Sequence, residues 1–183
     1  MGDLRNSLWQ RRKICLYIRT VQLLKKWHLP TLACVVNSIT RTNIQFGDDV
    51  AVIGGGTMGM LHVMLARLKG ARVILSEPLR ERRDRALKLG CDDVIDPTKE
   101  DAVKRVKELT GGRGAQVVFN TTAIPAIAAQ AVEMTSPGGM SVMFSSMHPN
   151  DPVPIDMGAV HSYQKTVTGA VSPTITSFIR QCS

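Results

Sequence analysis

A chain of 183 residues, 44% of them hydrophobic and 4% aromatic, is long enough for one well-buried domain and too short for two of ordinary size. Its net charge is +8, but residues 1–30 carry seven Lys or Arg against one Asp, and the rest carry sixteen basic against fourteen acidic residues. Because the basicity is concentrated at the N-terminus, the folded part is not predicted to bind nucleic acid.

The cysteine spacing and the hydropathy indicate in which cellular compartment the protein is expected. Cys15, Cys34, Cys91 and Cys182 form no C-x-x-C pair, which indicates neither a zinc knuckle nor a disulfide framework. No apolar run approaches the length of a membrane span, and the N-terminus lacks the apolar region of a signal peptide. The sequence therefore predicts a cytoplasmic protein without a membrane partner.

Residues 1–31 differ in composition from the rest and are interpreted as a basic extension of unclear structure, irregular or weakly helical. A loose helical stripe that includes Leu4, Leu8 and Ile14 leaves an amphipathic anchor or partner helix as an alternative. Residues 32–183 are predicted to form a single folded domain.

Helical and strand patterns alternate along this domain. The predicted helices are Leu32–Thr42, Met58–Leu68, Arg80–Leu89, Thr98–Leu109 with Asp101 in a capping box, and Ala126–Met134; the predicted strands are Asp49–Ile53, Arg72–Ser76, Asp93–Ile95, Gln116–Asn120, Met140–Phe144 and Thr166–Thr168, with a turn at Pro137-Gly138-Gly139. Such alternation predicts an α/β fold, a doubly wound parallel sheet of the Rossmann type with helices on both faces.

A glycine-rich turn follows the first predicted strand. Gly54 permits the tight turn, Gly56 has no Cβ to block a pyrophosphate, and Gly59 lets the helix pack closely on the strand. The helix start, with its unpaired amides and partial positive charge, then faces the anion. Glu77 ends the second strand, where its carboxylate could accept hydrogen bonds from the adenosine ribose. Together these residues predict a dinucleotide site.

Ligands of such a sheet bind at the carboxyl ends of its strands. Thr121 and Thr122 follow the fourth predicted strand, and Ser145 and Ser146 follow the fifth. These hydroxyl groups could contact the cofactor, or they could be ordinary loop residues.

Three stretches carry a family resemblance: VAVIGGGTMGMLHVMLARLKGARVILSEP, LGCDDVIDPTKEDAVKRVKELTGGRGAQVVF and PGGMSVMF. From about Leu32 to the C-terminus the chain resembles the cofactor domain of the medium-chain, zinc-type alcohol dehydrogenases, and most of all their threonine and sorbitol dehydrogenase branch. The resemblance implies an oxidoreductase that moves a hydride between an alcohol and NAD(P). A free-standing module that senses NAD and a methyltransferase with a glycine-rich loop are the alternatives.

The resemblance also implies roles for single residues. Those expected to hold the pyrophosphate are Gly54, Gly56, Thr57, Met58 and Gly59. Glu77 is expected to hold the adenosine ribose and Arg82 to cover the adenine, while the segments Phe144–Ser146 and Ala170–Ser172 are expected to line the nicotinamide end. Because Glu77 should repel a 2′-phosphate, NAD is favoured over NADP, although Arg80, Arg82 and Arg83 leave NADP open.

Zinc is expected for the whole family, where it polarises the alcohol oxygen and is held by an N-terminal catalytic domain. That domain is not recognisable in this chain, which is therefore interpreted as a fragment truncated at both ends and inactive alone. No metal site is predicted, because His28, His62, His148 and His161 lack ligand spacing and are expected to be solvated or packed. In the family the strand near Thr166 pairs across a dimer, so Val153–Val171 is a candidate homodimer interface.

Overall fold

The computed structural model describes residues 29–147 and 151–171. The predictions made for residues 1–28, for His148 and for residues 172–183 lie outside these ranges. Among the helices of the described ranges, none is both long enough and apolar enough to cross a bilayer.

Helices and strands alternate along the described chain. The helices are α1 (Leu29–Arg41), α2 (Thr57–Leu68), α3 (Arg80–Lys88), α4 (Ala102–Leu109), α5 (Pro125–Met134) and α6 (Met157–Ser162), and the strands are β1 (Asp49–Ile53), β2 (Arg72–Ser76), β3 (Asp93–Ile95), β4 (Ala115–Asn120), β5 (Thr135–Met143) and β6 (Thr166–Gly169). All pair in parallel in one sheet of order β3-β2-β1-β4-β5-β6. This confirms the predicted doubly wound α/β fold.

The core lies on both faces of the sheet, and β1 shows how the sequence divides it. Val50 and Val52 belong to one buried cluster, together with residues of α1, α2 and α3, whereas Ala51 and Ile53 belong to a second cluster with residues of α4 and α5. A strand points successive side chains to opposite faces, so a run of apolar residues buries both. The position of the helices on both faces is thereby confirmed.

The start of α4 corrects one prediction. The helix begins at Ala102 and not at Thr98, because the Asp96 carboxylate accepts hydrogen bonds from the Thr98 amide at 3.1 Å and from its hydroxyl at 2.6 Å, which holds a separate turn. Asp101 does cap the helix, through the amide of Lys104 at 3.0 Å. Since Lys104 has no carboxylate to return a bond, the expected capping box is not formed.

The region around β5 differs from the prediction in two places. The strand includes Pro137-Gly138-Gly139, which was predicted as a turn, and the Gly138 amide donates to the Tyr163 carbonyl oxygen at 2.8 Å. Helix α6, which has six residues and none of them buried, was not predicted. The sequence signal for this helix is its N-cap residue Asp156, whose carboxylate accepts a hydrogen bond from the Ala159 amide at 2.9 Å.

Candidate dinucleotide-binding site

Backbone hydrogen bonds bring the carboxyl ends of four strands together. The Gly54 amide after β1 donates to Ser76 in β2 at 2.9 Å, and the Thr121 amide after β4 donates to Ile53 in β1 at 3.0 Å. The Phe144 amide after β5 donates to the last residue of β4 at 3.0 Å. The loops that were predicted to share one crevice therefore lie side by side at one edge of the sheet.

Packing restricts the glycines in the turn after β1, most of all Gly54 and Gly59. Gly54 has φ +97°, and a Cβ there would lie 2.8 Å from the Thr121 hydroxyl oxygen. A Cβ on Gly59 would overlap the carbonyl oxygen of Gly54, so α2 can approach β1 only without a side chain at this position. The Thr121 hydroxyl lies 2.8 Å from the Ile53 oxygen and 3.2 Å from the Gly54 oxygen, and it thereby holds the turn.

Gly56 is different, because neither its conformation nor its protein neighbours require glycine. It has φ −72° and ψ −174°, which any residue adopts, and no described atom lies within 4 Å of the position that a Cβ would take. It is the N-cap of α2, and no side chain in the described ranges caps this helix. Thr57 is exposed and Met58 half-buried. The first amides of α2 thus open onto a surface without side-chain obstruction, as an anion requires.

Glu77 is buried at the end of β2, with 2% of its surface exposed. Its Oε2 accepts a hydrogen bond from the Gly55 amide at 2.5 Å, and its Oε1 accepts one from the Leu79 amide at 3.0 Å. The Nη1 atom of Arg82 lies 3.6 Å from Oε2. A carboxylate offers about four lone-pair positions, so two amides leave each oxygen able to accept a further bond. The carboxylate is held against the glycine turn.

The arginines of α3 do not all face solvent. The Arg82 side chain is 46% exposed, but that of Arg83 is only 12% exposed and forms an ion pair with Asp96 at 2.9 Å. Asp96 follows β3 directly. Because β3 pairs with β2, the residues that follow the two strands lie close together. A prediction of the strand order could therefore have identified the ion pair between Arg83 and Asp96.

The residues after β5 lie at the same edge. The Phe144 ring is half-buried and meets the His62 ring edge-on at 4.7 Å between centroids, while Ser145 is half-buried and Ser146 exposed. After β4, the amide and the hydroxyl of Thr122 both donate to the Asn120 side-chain oxygen, at 3.0 and 2.8 Å. Asn120, which is buried, orders this loop and was not among the predicted site residues.

His62 is fully buried in α2 and has a packed role, as predicted. Its Nδ1 donates to the Met58 carbonyl oxygen at 2.8 Å and its Nε2 lies 3.1 Å from the Ser38 hydroxyl, which fits a neutral ring that accepts from Ser38. The Phe119 ring packs on it at 4.5 Å. Burial lowers the pKa of His62 from 6.5 to about 4, although the bond to Met58 opposes the shift.

This buried imidazole should make stability depend on pH. The unfolded chain binds a proton at His62 below pH 6.5, whereas the folded chain binds it only below about 4. The contribution is therefore fully present above pH 6.5 and is lost as the pH falls to about 4, at a cost of about 3 kcal/mol. Urea unfolding at pH 7.0 and 4.5 should show a smaller loss for His62→Gln than for the parent. His161→Gln, in exposed α6, is the control, and equal losses in all three proteins would contradict the assignment.

No group of three His, Cys, Asp or Glu side chains that could hold a metal ion occurs in residues 29–147 and 151–171. Cys91 is buried, and its Sγ lies 3.2 Å from the Val73 oxygen. Burial raises the pKa of its thiol to about 11, so it acts as a small packed residue.

The sheet order, the glycine turn and the acidic residue at the end of β2 define the class of Rossmann-type dinucleotide-binding domains. The family described as zinc-binding dehydrogenase matches residues 57–181, and the chain belongs to this family.

Curated relatives include the scyllo-inosose 3-dehydrogenase of Thermotoga maritima, 43% identical over 49% of this chain and 23% of the relative. The L-threonine 3-dehydrogenase of Caldanaerobacter subterraneus is 41% identical over 61% of this chain and 32% of the relative. The chain thus spans about a third or less of these two relatives.

Solved structures of dehydrogenases are also similar to this chain over part of their length. A protein of Sinorhizobium meliloti described as a zinc-binding dehydrogenase and bound to NADP superposes with a TM-score of 0.79 at 26% identity, over 85% of this chain and 46% of that one. The 2R,3R-butanediol dehydrogenase of Bacillus subtilis has a TM-score of 0.76 at 26% identity, over 85% and 44% of the two chains.

Proposed function

We propose that this chain binds NAD(H) in the crevice formed by the ends of β1, β2, β4 and β5. The observation that carries the proposal is Gly56, a glycine that the protein's own packing does not need, at the uncapped start of α2. A pyrophosphate there would accept hydrogen bonds from the first amides of the helix and would be stabilised by its dipole. Gly54 and Gly59 bring the turn close enough to β1 to present those amides.

The further contacts follow from the strand ends. Glu77 would accept from the ribose hydroxyls, Arg82 would lie over the adenine, and the Phe144–Ser146 segment would meet the nicotinamide end. Thr121 would support the turn more than the ligand, because its hydroxyl already lies within hydrogen-bonding distance of two carbonyl oxygens.

We also propose that the chain prefers NAD to NADP. The buried Glu77 carboxylate would lie against a 2′-phosphate and repel it. Fluorescence titration of the full chain should show tighter binding of NADH than of NADPH, and Glu77→Gln should reduce this preference about tenfold, because it removes one charge. Glu81→Gln, in the first turn of the helix that follows and exposed, is the matched control. Equal affinities of the parent for the two cofactors would contradict the preference, and binding of neither would contradict the function.

The reaction of the whole protein is proposed to be hydride transfer between an alcohol and NAD, as an alcohol, polyol or threonine dehydrogenase. Its support is family membership together with relatives named for threonine, inosose and butanediol oxidation. Zinc would supply the polarisation of the alcohol oxygen. The described residues do not fit a zinc site, so no step is assigned to them through the metal.

We further propose a homodimer through β6. This strand ends the sheet, pairs only with β5 among the described strands, and is largely exposed, with Val167 at 39%. An edge of this kind can pair with a second copy. Sedimentation velocity should show a dimer for the parent and a monomer for Val167→Lys, whereas Leu87→Lys on exposed α3 should remain dimeric. A parent that sediments as a monomer would refute the proposal.

A further inference from the structure

Three arginines of α3 follow Glu77 closely in the sequence, but their side chains lie in different surroundings. Arg80 points outward, 88% exposed, and its nearest acidic partner is Asp84 at 3.8 Å. Arg82 lies beside the Glu77 carboxylate and is about half exposed. Arg83 is nearly buried. The three side chains therefore differ in what they can do for a ligand.

Arg83 holds the turn that carries Glu77. Its Nη1 donates to the carbonyl oxygens of Glu77 at 2.7 Å and of Pro78 at 2.6 Å, and its Nη2 lies 2.9 Å from the Asp96 carboxylate. The rigid guanidinium can reach all three acceptors at once, which an ammonium cannot. These partners occupy the guanidinium group and leave the Arg83 side chain only 12% exposed, so little of it is available to a 2′-phosphate.

The Asp96 side of this contact is itself ordered. Its Oδ1 accepts from the amide and the hydroxyl of Thr98, and its Oδ2 faces Arg83 and, at 3.8 Å, Lys99. The Thr98 hydroxyl is the main cause that lowers the pKa of Asp96, and Arg83 adds to it, so the Asp96 carboxylate stays ionised at neutral pH. The Glu77 amide donates to the last residue of β3 at 3.1 Å, which joins the same two strand ends.

Arg83 affects the position of the Glu77 carboxylate through the backbone of Leu79. The Leu79 amide holds Oε1, and the position of that amide depends on the two carbonyl groups before it, which are the two that Arg83 binds. If Arg83 is lost, both carbonyls lose their donor and the turn is free to shift. The carboxylate would then no longer be fixed where a ribose is bound and a 2′-phosphate is repelled.

We infer that Arg83 and Asp96 form a positioning pair that sets the choice between NAD and NADP by fixing the turn under Glu77. The inference rests on the proposed NAD(H) site. The inference gives two arginines of α3 different roles. Arg83 supports NAD selectivity by holding the carbonyl oxygens of the turn that carries Glu77, whereas Arg82 lies beside the Glu77 carboxylate, where the ligand would bind.

The test measures the ratio of the NADPH and NADH dissociation constants by fluorescence titration of the full chain. Arg83→Gln and Asp96→Asn should each lower this ratio about tenfold, the loss expected for one charge-assisted contact at the discriminating carboxylate. Arg83→Lys, which keeps the charge but cannot span three acceptors, should lie between the parent and Arg83→Gln. Arg85→Gln removes the same charge from an exposed position in the last turn of α3 and should leave the ratio unchanged. Thermal unfolding identifies the folded variants.

A double variant distinguishes positioning from a general loss of structure. In the Glu77→Gln background, Arg83→Gln should change the ratio no further, because the carboxylate that it positions is gone. If Arg83→Gln and Asp96→Asn weaken both cofactors equally, or act additively with Glu77→Gln, the inference is overturned while the NAD site stands. If the parent binds neither cofactor, the proposed function fails and the inference fails with it.

Discussion

Gly56→Asp should weaken NADH binding about 100-fold or more and leave the fold intact. The substitution places a carboxylate at the first amides of α2, where the proposed pyrophosphate is bound, so like charges repel and the amides are obstructed. The fold should tolerate it, because no described atom lies within 4 Å of the Cβ position and φ is −72°. Aspartate is moreover a favourable N-cap residue. Isothermal calorimetry with NADH measures the affinity, and thermal unfolding measures the stability.

Gly111→Asp, which precedes β4 and so lies away from the carboxyl ends of the strands, is the control for an added charge, since a Cβ there would meet nothing within 4 Å and aspartate tolerates its φ of +63°. Its NADH affinity should equal that of the parent. Retention of full affinity by Gly56→Asp would refute the placement of the pyrophosphate at α2.

Gly59→Ala, unlike Gly56→Asp, should destabilise the fold and lower the free energy of unfolding by about 3 kcal/mol. One methyl group there would overlap the Gly54 carbonyl oxygen, which belongs to backbone and not to a flexible side chain. Relaxation is limited, because Gly54 has φ +97° and its amide is bonded to Ser76 in β2. Either α2 moves away from β1 or the turn distorts, and both expose core.

Urea unfolding of the parent and Gly59→Ala measures this loss directly. Gly56→Ala is the matched control, three residues earlier in the same turn, and should cost less than about 1 kcal/mol. If the two alanine variants were equally stable, the close contact between α2 and β1 would not be what requires Gly59.

The sheet was predictable because its strands have strong local signals. β1, β2 and β3 match their predicted bounds, since each is a short apolar run between glycine or polar residues. The less accurate bounds lie where another contact competes with the hydrophobic period. Asp96 holds Thr98 in a turn, which is a local signal that the helical period concealed. The bond between Gly138 and Tyr163 draws Pro137-Gly138-Gly139 into β5, and this partner is too distant in the chain to appear in a local pattern.

The candidate site shows the same division. The roles of Gly54 and Gly59 followed from their spacing, because a strand that turns sharply into a helix needs those glycines in that order. The burial of Arg83 did not follow, because its partner Asp96 is distant in the chain and becomes a neighbour only when β3 pairs with β2.

The sequence by itself determined the alternation of helices and strands, the glycine turn after β1 and the acidic residue at the end of β2. These depend on backbone geometry and hydrophobic period over a few residues. Only the tertiary structure decided that Gly56 faces open space, that two amides hold Glu77 and that Arg83 supports its turn. Such properties depend on which strand ends the parallel sheet brings together, and side-chain environment is set by that packing.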